Sequence, residues 1–217
     1  SSGLQRFIDF HPGHLKWDYS YSIGTLKPDV IVHVIDATSI RRHLYLTIEL
    51  LETGIPLLLV VNQIDRAEPL GINISKEKLE SLLGIPVVTC VAVKRKGMEV
   101  ILDGIIKAYR QGSPAYPKYS RDLEEKLRLV ETTLIEELPP ELKRFSRFIA
   151  TCVVLGDKEF RNLTYLIPSH LRAKLPRYGK QLALERASRA DNIYKSTVST
   201  KGTKHFRLSR IDYISIN

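Results

Sequence analysis

Asp29-Val-Ile-Val-His-Val-Ile35 is the stretch on which the fold turns. A β-branched run interrupted only by His33 is what a parallel strand covered on both faces looks like. Pro56-Leu-Leu-Leu-Val-Val61 and Pro86-Val-Val88 repeat the pattern. Between these runs the period changes. Ile40, Leu44, Ile48 and Leu51 step by four, four and three, one face of a helix from Ser39 to Glu52 that Gly54 and Pro56 end. Ser75 is placed to cap a second helix through Leu83, closed by Gly84, and Gly97 to Arg110 reads as a third. Strands alternating with helices predict an α/β fold, a doubly wound parallel sheet with right-handed crossovers.

The alternation stops at Gln111-Gly-Ser-Pro-Ala-Tyr-Pro117, a linker by its prolines and glycine. Beyond it the chain reads as all-helical. Leu123, Leu127, Leu134 and Leu138 share one face of a helix capped by Ser120 and stopped by Pro139-Pro140. Further helices are expected over Glu141 to Leu155, Lys158 to Leu166 and Gly179 to Ser199. Thr200 to Asn217 is basic and then alternating, and its pattern assigns no element. The expected division is therefore an α/β unit over 1–112, a helical domain over 113–200 and a basic C-terminal segment over 201–217.

Composition narrows the classes. In 217 residues, 43% hydrophobic and 26% charged is the balance of a globular chain and excludes disorder and fibre. No apolar run, the longest lying near Ile55 to Val61, reaches the roughly 18 to 20 residues of a membrane span. Cys90 and Cys152 sit in apolar stretches without a C-x-x-C partner and read as buried thiols of a reducing compartment. The start, Ser1-Ser2-Gly3, with neither methionine nor signal-peptide pattern, reads as a fragment of something longer. The net charge of +9 gathers after Lys143, in Lys143-Arg144, Arg172 to Arg177, Arg186 to Arg189 and Lys201 to Arg210. These cations are interleaved with apolar helix positions rather than stacking aromatics. A solvated helical face or attraction to anionic lipid therefore fits better than nucleic acid.

Ligands of open α/β sheets bind beyond the carboxyl ends of the strands. After the second run comes Asn62-Gln-Ile-Asp65, an N-x-x-D pattern. A carboxylate there can accept from both N1–H and the exocyclic amine of guanine, a donor pair adenine lacks, while the asparagine braces the loop and reaches the opposite base edge. The same residues are also common in plain turns. After the third run comes Thr89-Cys-Val-Ala-Val-Lys94, where the Ala92 N–H is the candidate donor to the base oxygen. Near the start, Asp9 could hold a magnesium water and the Gly13 N–H could meet a terminal phosphate, but Asp9-Phe-His-Pro-Gly13 carries one residue more than D-x-x-G. Nowhere does G-x-x-x-x-G-K-[ST] occur, so no loop of this sequence cradles phosphates in the usual way.

Lys27-Pro-Asp-Val-Ile-Val-His-Val-Ile-Asp-Ala-Thr38, Leu44-Tyr-Leu-Thr47, Gly54-Ile-Pro56, Val61-Asn-Gln-Ile-Asp65 and Leu82-Leu-Gly-Ile-Pro-Val-Val88 together resemble the G domain of FeoB-type ferrous iron transporters. The helical region from Tyr119, with Arg147-Phe-Ile to Leu155-Gly-Asp157, resembles that family's cytosolic helical domain, and Arg210-Ile-Asp212 resembles the stretch before its membrane part. The resemblance implies a P-loop GTPase-like sheet that is incomplete here, lacking its first strand and phosphate loop. It implies GTP or GDP with Mg2+ as ligands, Fe2+ as the ion carried by the full-length protein, and a helical domain that tunes nucleotide retention. Asn62, Gln63, Asp65 and Ala92 match its guanine-reading positions, with Val91 where serine is usual, and Asp9 and Gly13 are its weak phosphate and magnesium candidates. The expected partners are guanine nucleotide, a membrane-embedded transporter region in the same or another chain, and a further copy of the chain. The expected place is the cytoplasmic face of a membrane. The resemblance implies GTP hydrolysis, while the absent phosphate loop implies its loss in this chain. The alternative is a non-catalytic regulatory or interaction module derived from such a transporter.

Overall fold

The computed structural model describes residues 28–140, 142–158 and 160–200. Three parallel strands form the first sheet: β1 (Ile31–Asp36), β2 (Leu57–Asn62) and β4 (Val87–Thr89), in the order β1-β2-β4. The register pairs Ile31 with Leu57 and Asp36 with Asn62, so the first two strands end level. Residues 53–56 return the chain from α1 (Ile40–Glu52) to β2, and Gly54 makes the turn at a φ of 69°. A Cβ there would lie 2.9 Å from the Tyr116 hydroxyl, so glycine suits both the left-handed turn and the close approach of the linker. After β2 come a short α2 (Ile64–Ala67), β3 (Ile72–Ile74) and α3 (Lys76–Leu83), the last capped as expected by Ser75 Oγ accepting from the Lys78 N–H at 3.3 Å. α4 (Glu99–Gln111) crosses the other face, where Gly104 brings it against Leu58 and Val88.

The expectation that the first strand is covered on both faces is corrected. His33 and Ile35 are buried under α1, but Val32 and Val34 are 38% and 53% exposed. The cluster on that face, Leu58, Val60, Val88, Cys90 and Ala108, is centred on β2, β4 and α4 and leaves β1 uncovered among the described residues.

The second half is helical, with different bounds from those expected. α5 (Arg121–Ile135) buries Leu123, Leu127, Val130 and Leu134. Ser120 stands at its N-terminus but makes no capping bond; its Oγ donates to Glu185 and accepts from Gln181 at 3.1 Å. The expected Glu141 to Leu155 helix is a 3-10 turn over Lys143–Phe145 followed by α6 (Ser146–Leu155), Glu141 lying outside the described residues. Lys158 to Leu166 is only a 3-10 helix over Arg161–Leu166. After the short α7 (Ser169–Arg172), α8 (Leu175–Thr197) begins before Gly179, since Pro176 fits a first helical turn. The expected helix end at Ser199 is also corrected, as Val198–Thr200 forms β5 and pairs antiparallel with β3.

α8 joins two cores. Tyr178 and Leu182 pack with α5 and α6, while Ala190 and Ile193 pack with α1, α3 and the sheet. Between these contacts Arg186, read from the sequence as part of a basic cluster, is buried. Its Nε donates to Glu52 Oε1 at 2.9 Å, its Nη1 to Glu49 Oε1 at 2.9 Å and its Nη2 to Glu52 Oε2, while the Tyr119 hydroxyl donates to Glu52. Burial works to lower the Arg186 pKa, and the two carboxylates more than offset it, holding the guanidinium well above its usual value. Among the described residues no helix is long and apolar enough to cross a membrane.

Candidate functional site

β2 ends at Asn62 because the next residue, Gln63, turns the chain through the left-handed region at a φ of 60°. That turn aims the Asn62 side chain along the carboxyl edge of the sheet, not at solvent. Asn62 Oδ1 accepts from the Gln63 N–H at 2.8 Å and from the Ala92 N–H at 3.0 Å, with the Cys90 thiol at 3.5 Å. One amide oxygen thus ties the loop after β2 to the loop after β4.

The second loop is a tight reversal. The Val91 N–H donates to the Lys96 carbonyl at 2.9 Å, Arg95 takes a φ of 54°, and Gly97 at 77° stands where a Cβ would lie 2.6 Å from the Thr89 carbonyl. This reversal carries Lys94 back over the first loop, where its Nζ donates to Asp65 Oδ2 at 2.6 Å. That hydrogen bond, more than any other influence, holds the Asp65 carboxyl below its usual pKa. Gln63 is oriented by Arg66, whose Nη1 donates to Gln63 Oε1 at 2.5 Å.

The structure therefore gathers Asn62, Gln63, Asp65 and Ala92 at one end of β2 and β4. Two details differ from expectation. The Ala92 N–H is engaged by Asn62 rather than turned to a ligand, and Asp65 is already paired. Sequence reading missed Lys94 and Cys90 as members of this cluster, although the run Lys94-Arg95-Lys96 beside a loop carboxylate was the available signal. Asp9, Gly13 and the segment 201–217 lie outside the described residues. Among the described residues no group of three or more His, Cys, Asp or Glu is gathered that could hold a metal ion. Chemically the cluster offers one carboxylate acceptor and the amide nitrogen of Asn62 beside a strand end, which suits a planar polar base.

Comparison with known proteins finds likeness to one family. Residues 20–105 match the family model for ferrous iron transport protein B. The Fe(2+) transporter FeoB of Legionella pneumophila (strain Lens) is 37% identical over 116 residues, which cover 54% of this chain and 15% of that protein. The chain thus spans only a small part of the transporter it matches. The structure of the cytosolic domain of L. pneumophila FeoB superposes with a TM-score of 0.72 at 28% identity, covering 83% of this chain and 72% of that one. A GDP-bound variant of the S. thermophilus FeoB G-domain gives a TM-score of 0.72 at 26% identity, covering 83% and 73%. In residues 20–105 this chain is thus similar to the FeoB family, and it shares with these neighbours the parallel sheet of a P-loop GTPase-like fold followed by helices.

Proposed function

We propose that the chain is the cytosolic guanine-nucleotide-binding part of a ferrous iron transporter, lying at the cytoplasmic face of its membrane, with the base-reading loop present and the phosphate loop absent. In this reading residues 1–112 form the partial G domain, 113–200 the helical domain, and 201–217 lead toward a membrane region. The observation that carries it is Asn62 Oδ1 bridging the two loops that present Asp65 and Ala92. The GDP-bound state of a structural neighbour supports the same ligand class.

Asp65 would accept from guanine N1–H and the exocyclic amine, which requires Lys94 to yield part of its hold. Solvent screens such an exposed pair, so it tunes the site without blocking it. The Asn62 amide nitrogen is left to face the opposite base edge. Mg2+ and the phosphates depend on groups outside the described residues, so no hydrolytic step is assigned to this chain.

Saturation-transfer NMR with guanosine and adenosine tests the base reading. Wild-type protein is expected to transfer saturation to guanosine and not adenosine, and Asp65→Asn to lose that preference while circular dichroism stays unchanged. Equal signals from both nucleosides, or a preference that survives Asp65→Asn, would contradict it.

A further inference from the structure

Residues 160–184 hold Arg161, Arg172, Lys174, Arg177 and Lys180 and not one Asp or Glu. All five cations are exposed, and none pairs with a described carboxylate. Elsewhere exposed cations do find acids, as Arg41 and Lys195 find Asp191 and Lys94 finds Asp65. Burial of Leu171, Leu175, Tyr178 and Leu182 fixes the orientation of this segment, and Arg172, Lys174, Arg177 and Lys180 between them face outward. Lys174, Arg177, Lys180 and Leu184 follow one another by three, three and four, a single stripe at the start of α8. Arg177, Lys180 and Leu184 line one open groove that Glu185 also lines, its carboxylate being engaged by Ser120 and Gln181.

Apolar tips stand among these charges. Tyr165 is 77% exposed, Leu184 is 62% exposed, and the Arg172 guanidinium lies 5.9 Å from the Tyr165 ring centroid. We propose that this face docks on an anionic lipid bilayer, with the cations over the headgroups and Tyr165 at the interface. A Lys or Arg near a negative leaflet strengthens binding roughly fivefold, and clusters of four to eight suffice for recruitment. Tyrosine, apolar in body and polar at its tip, favours the headgroup level. Single-stranded nucleic acid would need successive free aromatic faces. Here Tyr165 is the exposed ring, and Arg172 already covers one side of it. The inference goes beyond the transporter reading and uses no part of the guanine loop.

Co-sedimentation of the full chain with vesicles tests it, comparing pure phosphatidylcholine with an equimolar mixture of phosphatidylcholine and phosphatidylserine. In about 0.1 M salt the chain is expected to bind only the anionic vesicles, and in about 1 M salt, where the screening length falls to about 3 Å, to be released. Combining Arg172→Gln, Lys174→Gln and Arg177→Gln is expected to lower the partition coefficient at least roughly tenfold. The control set Lys78→Gln, Arg110→Gln and Arg128→Gln removes the same charge elsewhere and is expected to leave it within about twofold. Tyr165→Trp in a Trp17→Phe chain reads docking without removing a cation, through a blue shift of emission on anionic vesicles alone. No sedimentation, equal loss in both triple variants, no blue shift, or tighter binding to single-stranded RNA lost with the same three cations would overturn the proposal.

Discussion

Asn62 shows how little side chain is needed to hold two loops together. Its carbonyl oxygen serves two backbone N–H groups, so the residue at the end of β2 positions Ala92 thirty residues on. The N-x-x-D spacing made Asn62 and Asp65 legible, while the run Lys94-Arg95-Lys96 showed a cation nearby without showing that the reversal through Arg95 lays Lys94 on Asp65. His33 is a second case. The β-branched run announces a strand without saying which face will be covered, and His33 lies on the covered one. Thr47 Oγ1 donates to the His43 carbonyl at 3.1 Å and stands 3.2 Å from His33 Nδ1, so Nδ1 donates to it and the buried Nε2 is left without a partner. Burial, helped by His43, lowers the His33 pKa to about 3 from 6.5. The unfolded chain then binds the extra proton first, so stability contributed by neutral His33 is present above pH 6.5 and lost as pH falls toward 3. Urea unfolding against pH is expected to show a slope approaching about 1.4 kcal/mol per pH unit in that window, and His33→Leu to flatten it. An unchanged slope in the variant would contradict this account of the site.

Among the elements, α8 departs most from its sequence pattern. Gly179 and Pro176 look like a boundary, yet the helix runs through both. Proline suits the first turn, and the glycine is there for contact rather than for termination. A Cβ on Gly179 would lie 2.5 Å from the Val154 carbonyl, so α8 meets α6 backbone to backbone at this point. Gly179→Ala is expected to cost about 1 to 3 kcal/mol through overpacking, despite the better helix propensity of alanine. A thermal melt unchanged or raised by the substitution would contradict that close approach. The β3 and β5 pair was illegible for another reason. Three-residue strands carry almost no periodic signal, and the partners are separated by more than half of the chain. By contrast α1 and α3 were readable to within a residue, because their apolar steps are bounded by Gly54 and by Ser75 and Gly84.

At the scale of the molecule the two cores are held in register by the buried group of Arg186, Glu49, Glu52 and Tyr119. From sequence Arg186 looked like part of a basic cluster on a solvated helix face, since its pairing with Glu52 across more than a hundred residues leaves no local trace. Removing the cation strands two carboxylates at the junction. Arg186→Met is therefore expected to cost about 3 to 5 kcal/mol in urea unfolding, as for other broken buried pairs, and a loss below about 1 kcal/mol would show that the junction carries little. The central proposal is that this chain, similar to FeoB G domains, reads the base without holding the phosphates. Calorimetric titration of the full chain with guanosine and with GTP tests it most directly. The account predicts that the two bind alike and more weakly than about 10 μM, the affinity that would need about 7 kcal/mol of binding free energy. Micromolar GTP binding, much tighter than that of guanosine, would contradict it.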